Sequence, residues 1–179
     1  MRKVLFILGQ LSDLDMEWLA THGQRMTVDA GTHLARVGEH LETMYIVLDG
    51  ECSVLTQQGE LLANLQSGEV LGEMSLVDAD PASASVVANV PTRVLAIRHQ
   101  LIREKLVRDQ GFAARFYKAL TLFLVGRMRN TIARFCYGDD AQPGERLDPD
   151  ILDSDTLGQV HLAGARFDRL LKRLAAEDG

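Results

Sequence analysis

The sequence predicts a mainly β protein with flanking helices: an antiparallel β-roll of the double-stranded β-helix or jelly-roll kind, then a long helix and a C-terminal helix. The first observation is a series of short alternating segments over residues 25–97, separated by turns that contain glycine. The second is the change of pattern after Ile97, where apolar residues recur at helical spacing as far as residue 136. A further helical pattern near the C-terminus completes the prediction.

Size and composition suit a globular domain with additional helix. Of the 179 residues, 46% are apolar and 25% are charged, which is ordinary for a soluble protein. The net charge of -6 opposes the basic excess of nucleic-acid-binding surfaces, so we expect no nucleic-acid partner. Two cysteines without CxxC spacing indicate neither a zinc site nor a disulfide framework. The apolar run at residues 4–8 is too short for a signal peptide, so we expect a cytoplasmic protein with no membrane partner.

The first predicted helix covers about residues 12–22. Ser12 is a typical N-cap residue, and Asp13 and Asp15 place acidic side chains in the first turn, where the helix dipole stabilises them. The expected apolar face consists of Leu14, Trp18 and Leu19.

Eight short strands follow. The predicted strands are Arg25–Val28, His33–Arg36, Met44–Leu48, Ser53–Thr56, Leu61–Leu65, Val70–Leu71, Ser85–Val90 and Arg93–Ile97. The strongest is at residues 45–48, where aromatic and β-branched side chains are adjacent. Many short strands at regular turn spacing predict a small antiparallel roll.

Three helices are predicted after the roll. A short helix over His99–Asp109 precedes a helix over about Gln110–Cys136, which would be about 40 Å long. The apolar stripe of the long helix narrows after Leu124, as expected if its first half packs on the roll and its second half on a partner helix. A polar linker at residues 139–150 then leads to a last helix over Val160–Ala176.

We therefore divide the chain into a domain over residues 1–136 and a linker with a C-terminal helix over 137–179. Basic side chains on the last two helices are expected to form solvated faces. These side chains are Arg127, Arg129, Arg134, Arg166, Arg169, Lys172 and Arg173.

The segment Gly72–Val86 has the features of a phosphate-binding loop. Gly72 permits a sharp turn at the end of a strand, and the later small residues let backbone N–H groups approach an anion. Ser83 can donate a hydroxyl hydrogen bond, and Glu73 can accept one from a ribose 2′-hydroxyl. Each feature alone is typical of an ordinary loop, and only the ordered set is specific.

That ordered set resembles the phosphate-binding cassette of the cyclic-nucleotide-binding family, which includes regulators of the catabolite activator protein type. The matching residues are Gly72, Glu73, Met74, Ser75, Leu76, Pro81, Ser83, Ala84 and Ser85. The resemblance covers about residues 5–136, including the glycine framework of the roll. It implies a non-catalytic bacterial sensor that binds cAMP, cGMP or a related phosphorylated ligand and transmits the signal through its helices.

Ala82 departs from the family pattern. The family has an arginine there that pairs with the cyclic phosphate, and losing such a pair costs about 1.5–3 kcal/mol, at least ~10-fold in affinity. Arg36 and Arg127 are candidates for replacing the charge. Ala82 also supports an alternative, a degenerate ligand-free roll that serves as a dimerisation or docking module for a protein partner.

The candidate ligand-contacting residues come from the cassette and the long helix. They are Gly72, Glu73, Met74, Ser75, Ala82, Ser83, Ala84, Asn130 and Thr131. In the family the long helix forms a dimer contact and caps the bound base, so the resemblance implies a homodimer and places Asn130 and Thr131 near the base. A simpler interpretation makes these two residues solvated polar side chains.

Other functions find less support in the sequence. The five histidines lack the His-x-His pair of metal-binding cupin rolls, and no nucleophilic triad follows from spacing, so neither a metal site nor an enzyme is expected. A transcription regulator remains a second alternative. Residues 137–179 show one clear helix, whereas a DNA-binding helix–turn–helix needs two, so direct DNA binding is not expected.

Overall fold

The computed structural model describes residues 9–78, 80–137 and 164–174, excluding the side chains of residues 130, 131 and 133–137. The described elements are α1 (Asp13–His22), β1 (Gln24–Val28), β2 (His33–Ala35), β3 (Thr43–Asp49), β4 (Glu51–Leu55), β5 (Leu61–Gln66), β6 (Val70–Leu71), α2 (Met74–Val77), β7 (Ser85–Ala88), β8 (Thr92–Arg98), α3 (His99–Arg108), α4 (Gln110–Tyr137) and α5 (164–174). None of these helices combines the length and apolar composition that a membrane span requires.

The strands form two four-stranded sheets. The strand order is β1-β8-β3-β6 in one sheet and β2-β7-β4-β5 in the other, and the described strand pairs are antiparallel. Each sheet alternates early and late strands, so the chain winds back and forth between two facing layers. The predicted antiparallel roll is confirmed.

The first sheet is covered on both faces. Val47 of β3 and Val94 of β8 belong to the apolar cluster between the two sheets. Their neighbours Ile46 and Leu95 point the other way and join a second cluster with the helices. Because side chains alternate across a strand, covering both faces requires apolar residues at consecutive positions. This explains the strong strand pattern at residues 45–48.

The start of α1 has the predicted cap. Ser12 Oγ accepts from the Asp15 N–H at 3.2 Å, and Asp15 Oδ2 accepts from the Ser12 N–H at 2.7 Å. The apolar face is wrong at one position, since Leu14 is 75% exposed and Asp15 is buried. Burial raises the pKa of Asp15, but hydrogen bonds from Arg115 and Ser12 more than offset it and hold that pKa below its ordinary value. A buried carboxylate on α1 is therefore stabilised by an arginine of α4.

The long helix α4 packs on the roll through its first half. Its buried side chains are Phe112, Phe116, Ala119, Leu120 and Phe123. Beyond them Met128 is 58% exposed and Ile132 is 52% exposed in the single chain. Packing of the first half is confirmed, whereas the partner helix expected for the second half stays a prediction.

The C-terminal helix folds back onto α1 of the same chain, where Leu170 and Leu174 are each 3% exposed. The solvated-face prediction is wrong for Arg166, whose side chain is 14% exposed, and is confirmed for Arg169 and Arg173, which are exposed although they form ion pairs. Arg166 and Arg169 pair with Asp13, and Arg173 pairs with Glu17, because the acidic face of α1 lies opposite them. The predicted linker at residues 139–150 and the ends of the predicted last helix lie outside the described residues.

Candidate ligand site

The turn at Gly72 can be occupied only by glycine. Its φ is +82°, a conformation that L side chains rarely adopt, and a Cβ there would lie 2.4 Å from the carbonyl oxygen of Thr43. The glycine therefore allows β6 to end against β3 and the chain to turn at once toward α2. This places the next residue, Glu73, between the first sheet and the helices.

Glu73 is the buried acidic group of the site. It is 2% exposed, and it lines a cavity of about 10 Å³, about the space of one water molecule. The other residues that line this cavity are Leu11, Leu19, Met44, Ile46, Val70, Phe116 and Leu120. Burial among these apolar side chains raises the pKa of Glu73, and the positive charge of Arg127 partly opposes the rise.

Arg127 of α4 is the described partner of Glu73. Its NH1 donates to Oε1 of Glu73 at 2.8 Å, and its guanidinium lies 5.3 Å from the centre of the Phe123 ring. The expected solvated position is therefore wrong for Arg127, while Arg129 is exposed as predicted and the Arg134 side chain lies outside the described residues. The sequence could have indicated this inward position, because Arg127 follows Phe123 by four residues and therefore lies on the same face of α4 as the apolar stripe.

Ala82 is held by its backbone. Its N–H donates to the Glu39 carbonyl at 2.9 Å, and its carbonyl accepts from the Gly38 N–H at 2.8 Å. Ser85 Oγ also accepts from the Val37 N–H at 3.1 Å. These bonds attach the cassette to the turn between β2 and β3, so the loop is anchored without an arginine at position 82. Arg36, the other candidate for the missing charge, is exposed.

The remaining predicted residues divide between structural and accessible positions. Ser75 is buried, and its hydroxyl donates to the Asp80 carbonyl at 3.2 Å, which ties α2 to the following loop. Met74 and Ser83 are exposed, whereas Ala84 packs against the apolar cluster inside the roll. Residues 130 and 131 belong to α4, but their side chains lie outside the described part of the chain, so their proposed contact with a base stays a prediction.

Helix α3 contacts the cassette through two residues that the sequence did not indicate. The buried His99 imidazole forms a hydrogen bond with the backbone of Gly72. Among residues 9–78, 80–137 and 164–174, its Nε2 atom has no hydrogen-bond partner. Burial lowers the pKa of His99, the Gly72 bond opposes this, and the positive charge of Arg103 adds to the lowering. Arg103 donates to the carbonyls of Ser75 and Leu76 in α2 at 3.3 and 3.5 Å.

Comparison with known proteins relates the roll to cyclic nucleotide-binding domains. A family model described as the cyclic nucleotide-binding domain matches residues 25–109, from the first strand to the residue after α3. An uncharacterized NTE family protein of Mycobacterium bovis is 32% identical over 82 residues, which are 46% of this chain and 14% of that protein. A cyclic nucleotide-gated potassium channel of Mesorhizobium japonicum is 35% identical over 71 residues, 40% of this chain and 19% of the channel.

A solved structure extends the likeness to the helices. A cyclic nucleotide-binding domain from Methylobacillus flagellatus superposes with a TM-score of 0.68 at 23% identity, covering 75% of this chain and 81% of the other. At this identity the likeness concerns the fold. The two curated relatives are much longer proteins, of which this chain spans less than a fifth.

Proposed function

Because residues 25–109 form a domain of the cyclic nucleotide-binding family, we propose that this chain is a non-catalytic regulatory module. It binds a cyclic nucleotide, or a related phosphorylated ligand, between the roll and α4. The observation that carries this proposal is the buried carboxylate of Glu73 directly after the Gly72 turn. Burying an acid among apolar side chains is costly, and the pair with Arg127 only partly offsets the rise in its pKa, so the presence of Glu73 here favours a binding role.

The proposed binding mode uses Glu73 for the sugar. An ionised carboxylate can only accept hydrogen bonds, so it suits a ribose hydroxyl as donor, and the Arg127 charge helps to keep Glu73 ionised. The phosphate would lie against the backbone N–H groups of Ser83 and Ala84 and the Ser83 hydroxyl. The N–H of Ala82 already donates to Glu39, and no charged side chain stands at position 82. We therefore expect weaker phosphate binding than the family's arginine would provide.

The proposed signal passes through α4 and α3. A ligand hydroxyl that bonds to Glu73 competes with Arg127, so ligand binding loosens the contact of α4 with the cassette. Movement of α2 would also reach α3, because Arg103 donates to the carbonyls of Ser75 and Leu76 in α2. Both effects are shifts in population between two arrangements of the helices, one favoured without ligand and one favoured with it. The size of each shift is limited by the difference in ligand affinity between these arrangements.

Titration calorimetry with cAMP, cGMP and cyclic dinucleotides tests the proposal. We expect binding heat with at least one of these ligands, and a loss of about 10-fold or more in affinity for Glu73→Gln, since the charged acceptor is removed. Glu60→Gln is the matched control, because Glu60 is an exposed glutamate in the turn between β4 and β5. No heat with any of the ligands at millimolar concentration would overturn the proposal.

A second candidate function is a ligand-free dimerisation or docking module, which Ala82 and the exposed second half of α4 favour. On this hypothesis wild type gives no heat with cAMP, and Ala82→Arg gains binding because the loop is already anchored around position 82. The dimer contact would be formed by Met128 and Ile132, which are half exposed in the single chain. Tight cAMP binding by wild type would refute this hypothesis.

A further inference from the structure

Helix α5 lies against the outer side of α1. Leu170 and Leu174 are buried in the cluster that also contains α1 residues Met16 and Ala20, and Phe167 and Leu171 pack partly against it. Arg25 of β1 donates to the carbonyl of Leu174, the last described residue of α5. The apolar contact orients α5 along α1.

Three ion pairs follow the same contact. Arg166 Nε lies 2.8 Å from Asp13 Oδ1, and Arg169 NH1 lies 3.0 Å from Asp13 Oδ2. Arg173 NH1 lies 2.6 Å from Glu17 Oε1. Residues three, four and seven apart share one face of a helix, so the two faces are complementary in charge along two turns. The hydrogen bond from Arg166 lowers the pKa of Asp13 below its ordinary value.

The contact is incompletely packed. A groove of about 310 Å³ remains between the two helices, lined by the ion-paired residues together with Met16, Ala20 and Leu170. Unfilled space forfeits dispersion contacts, and partly exposed ion pairs are weakened by salt. Helix α5 is therefore held by a small apolar contact and by charges that water reaches.

Helix α1 links this contact to the buried glutamate. Asp15 of α1 accepts from Arg115 of α4 at 2.6 and 2.9 Å. Leu19 of α1 and Leu11, just before it, line the same small cavity as Glu73. A helix that presses on the outer face of α1 thus supports one wall of the Glu73 site.

We propose that α5 is a reversible clasp, meaning a helix that docks on α1 and can be released. Docked α5 stabilises the arrangement in which Arg127 is hydrogen-bonded to Glu73, so that release of α5 raises the affinity of the site for its ligand. The effect on affinity rests on the proposed function. The clasp itself does not, because it concerns only the docking of α5 on α1.

Hydrogen exchange of the full chain tests the clasp without any ligand. Reversing one charge, by Glu17→Arg or Arg173→Glu, is expected to speed exchange of residues 164–174 by about 2- to 5-fold, the range for one exposed ion pair. The double swap is expected to restore protection, and 0.5 M NaCl to reduce the differences between variants. Lys172→Glu is the matched control, because Lys172 is an exposed cation of α5 outside these pairs.

Unchanged exchange in both single variants, or a swap that fails to restore protection, would overturn the clasp. Titration with cAMP, cGMP and cyclic dinucleotides then tests the coupling. Arg173→Glu is expected to bind the ligand about 2- to 5-fold more tightly than wild type, and the swap to return to the wild-type value. Equal affinity of all three proteins would overturn the coupling. If none of the three proteins binds any of these ligands, the proposed function and the coupling fail together, while the exchange result still decides the clasp.

Discussion

The structure limits how much stability is lost when the arginine of the buried Glu73–Arg127 pair is removed. Arg127→Ala leaves a carboxylate that is 2% exposed without its partner at 2.8 Å. Breaking a buried pair in this way costs about 3–5 kcal/mol, but protonation of the acid sets a limit. At pH 7, about 2.5 units above the ordinary glutamate pKa of 4.5, neutralising Glu73 costs about 3.4 kcal/mol. Because Arg127 is 36% exposed, we expect a loss of about 2–3 kcal/mol.

This loss depends on pH in a known direction. Burial raises the pKa of Glu73 in the folded state, so the folded protein binds the proton more tightly and is destabilised as the pH rises above 4.5. At pH 5 neutralisation costs only about 0.7 kcal/mol, so Arg127→Ala is expected to cost less than about 1 kcal/mol there. Urea unfolding at pH 5 and pH 7 measures both values.

Two variants separate the charge effect from simple loss of packing. Glu73→Gln combined with Arg127→Ala is expected to show little of this pH dependence, because no acid remains to titrate at the site. Arg129→Ala, an exposed arginine of the same helix, is expected to change stability by less than about 0.5 kcal/mol. A loss below about 0.5 kcal/mol for Arg127→Ala, equal at both pH values, would refute the assignment of a buried ion pair.

Three further predictions concern the turn, the buried histidine and the second half of α4. Gly72→Ala is expected to lower the free energy of unfolding in urea by at least about 2 kcal/mol, because the new Cβ meets the Thr43 carbonyl. Gly59→Ala, at a similar φ but in open space, is expected to lower it by about 1 kcal/mol, and equal losses would contradict this prediction. Burial lowers the pKa of His99, so wild type is expected to lose stability as the pH falls below about 6.5, by up to about 1.4 kcal/mol per pH unit. His99→Gln is expected to lack this pH-dependent loss of stability, and identical pH profiles of the two proteins would argue against the prediction. Ile132→Glu is expected to convert a dimer into a monomer in light scattering, and a wild type that is monomeric at 100 μM would exclude the α4 dimer.

The strands were predictable because their determinants are local. In the described part of the chain, six glycines with positive φ mark turns. The alternating segments became strands whose ends agree with the predictions within about two residues. The helix start at Ser12 and the Gly72 turn were predictable for the same reason, since each depends on a few consecutive residues. The domain boundary at residue 136 stays a prediction.

The partners of the charged residues were not predictable in this way. Glu73 and Arg127 are 54 residues apart, and Arg173 and Glu17 are 156 apart, so nothing in the local pattern joins them. Burial of Asp15 instead of Leu14 depends on where α4 places Arg115. The sequence by itself determined the roll, the order of its elements and the cassette turn, because backbone conformation and side-chain alternation are local properties. Only the tertiary structure decided which charges are buried and paired, because that depends on how the helices pack on the sheet.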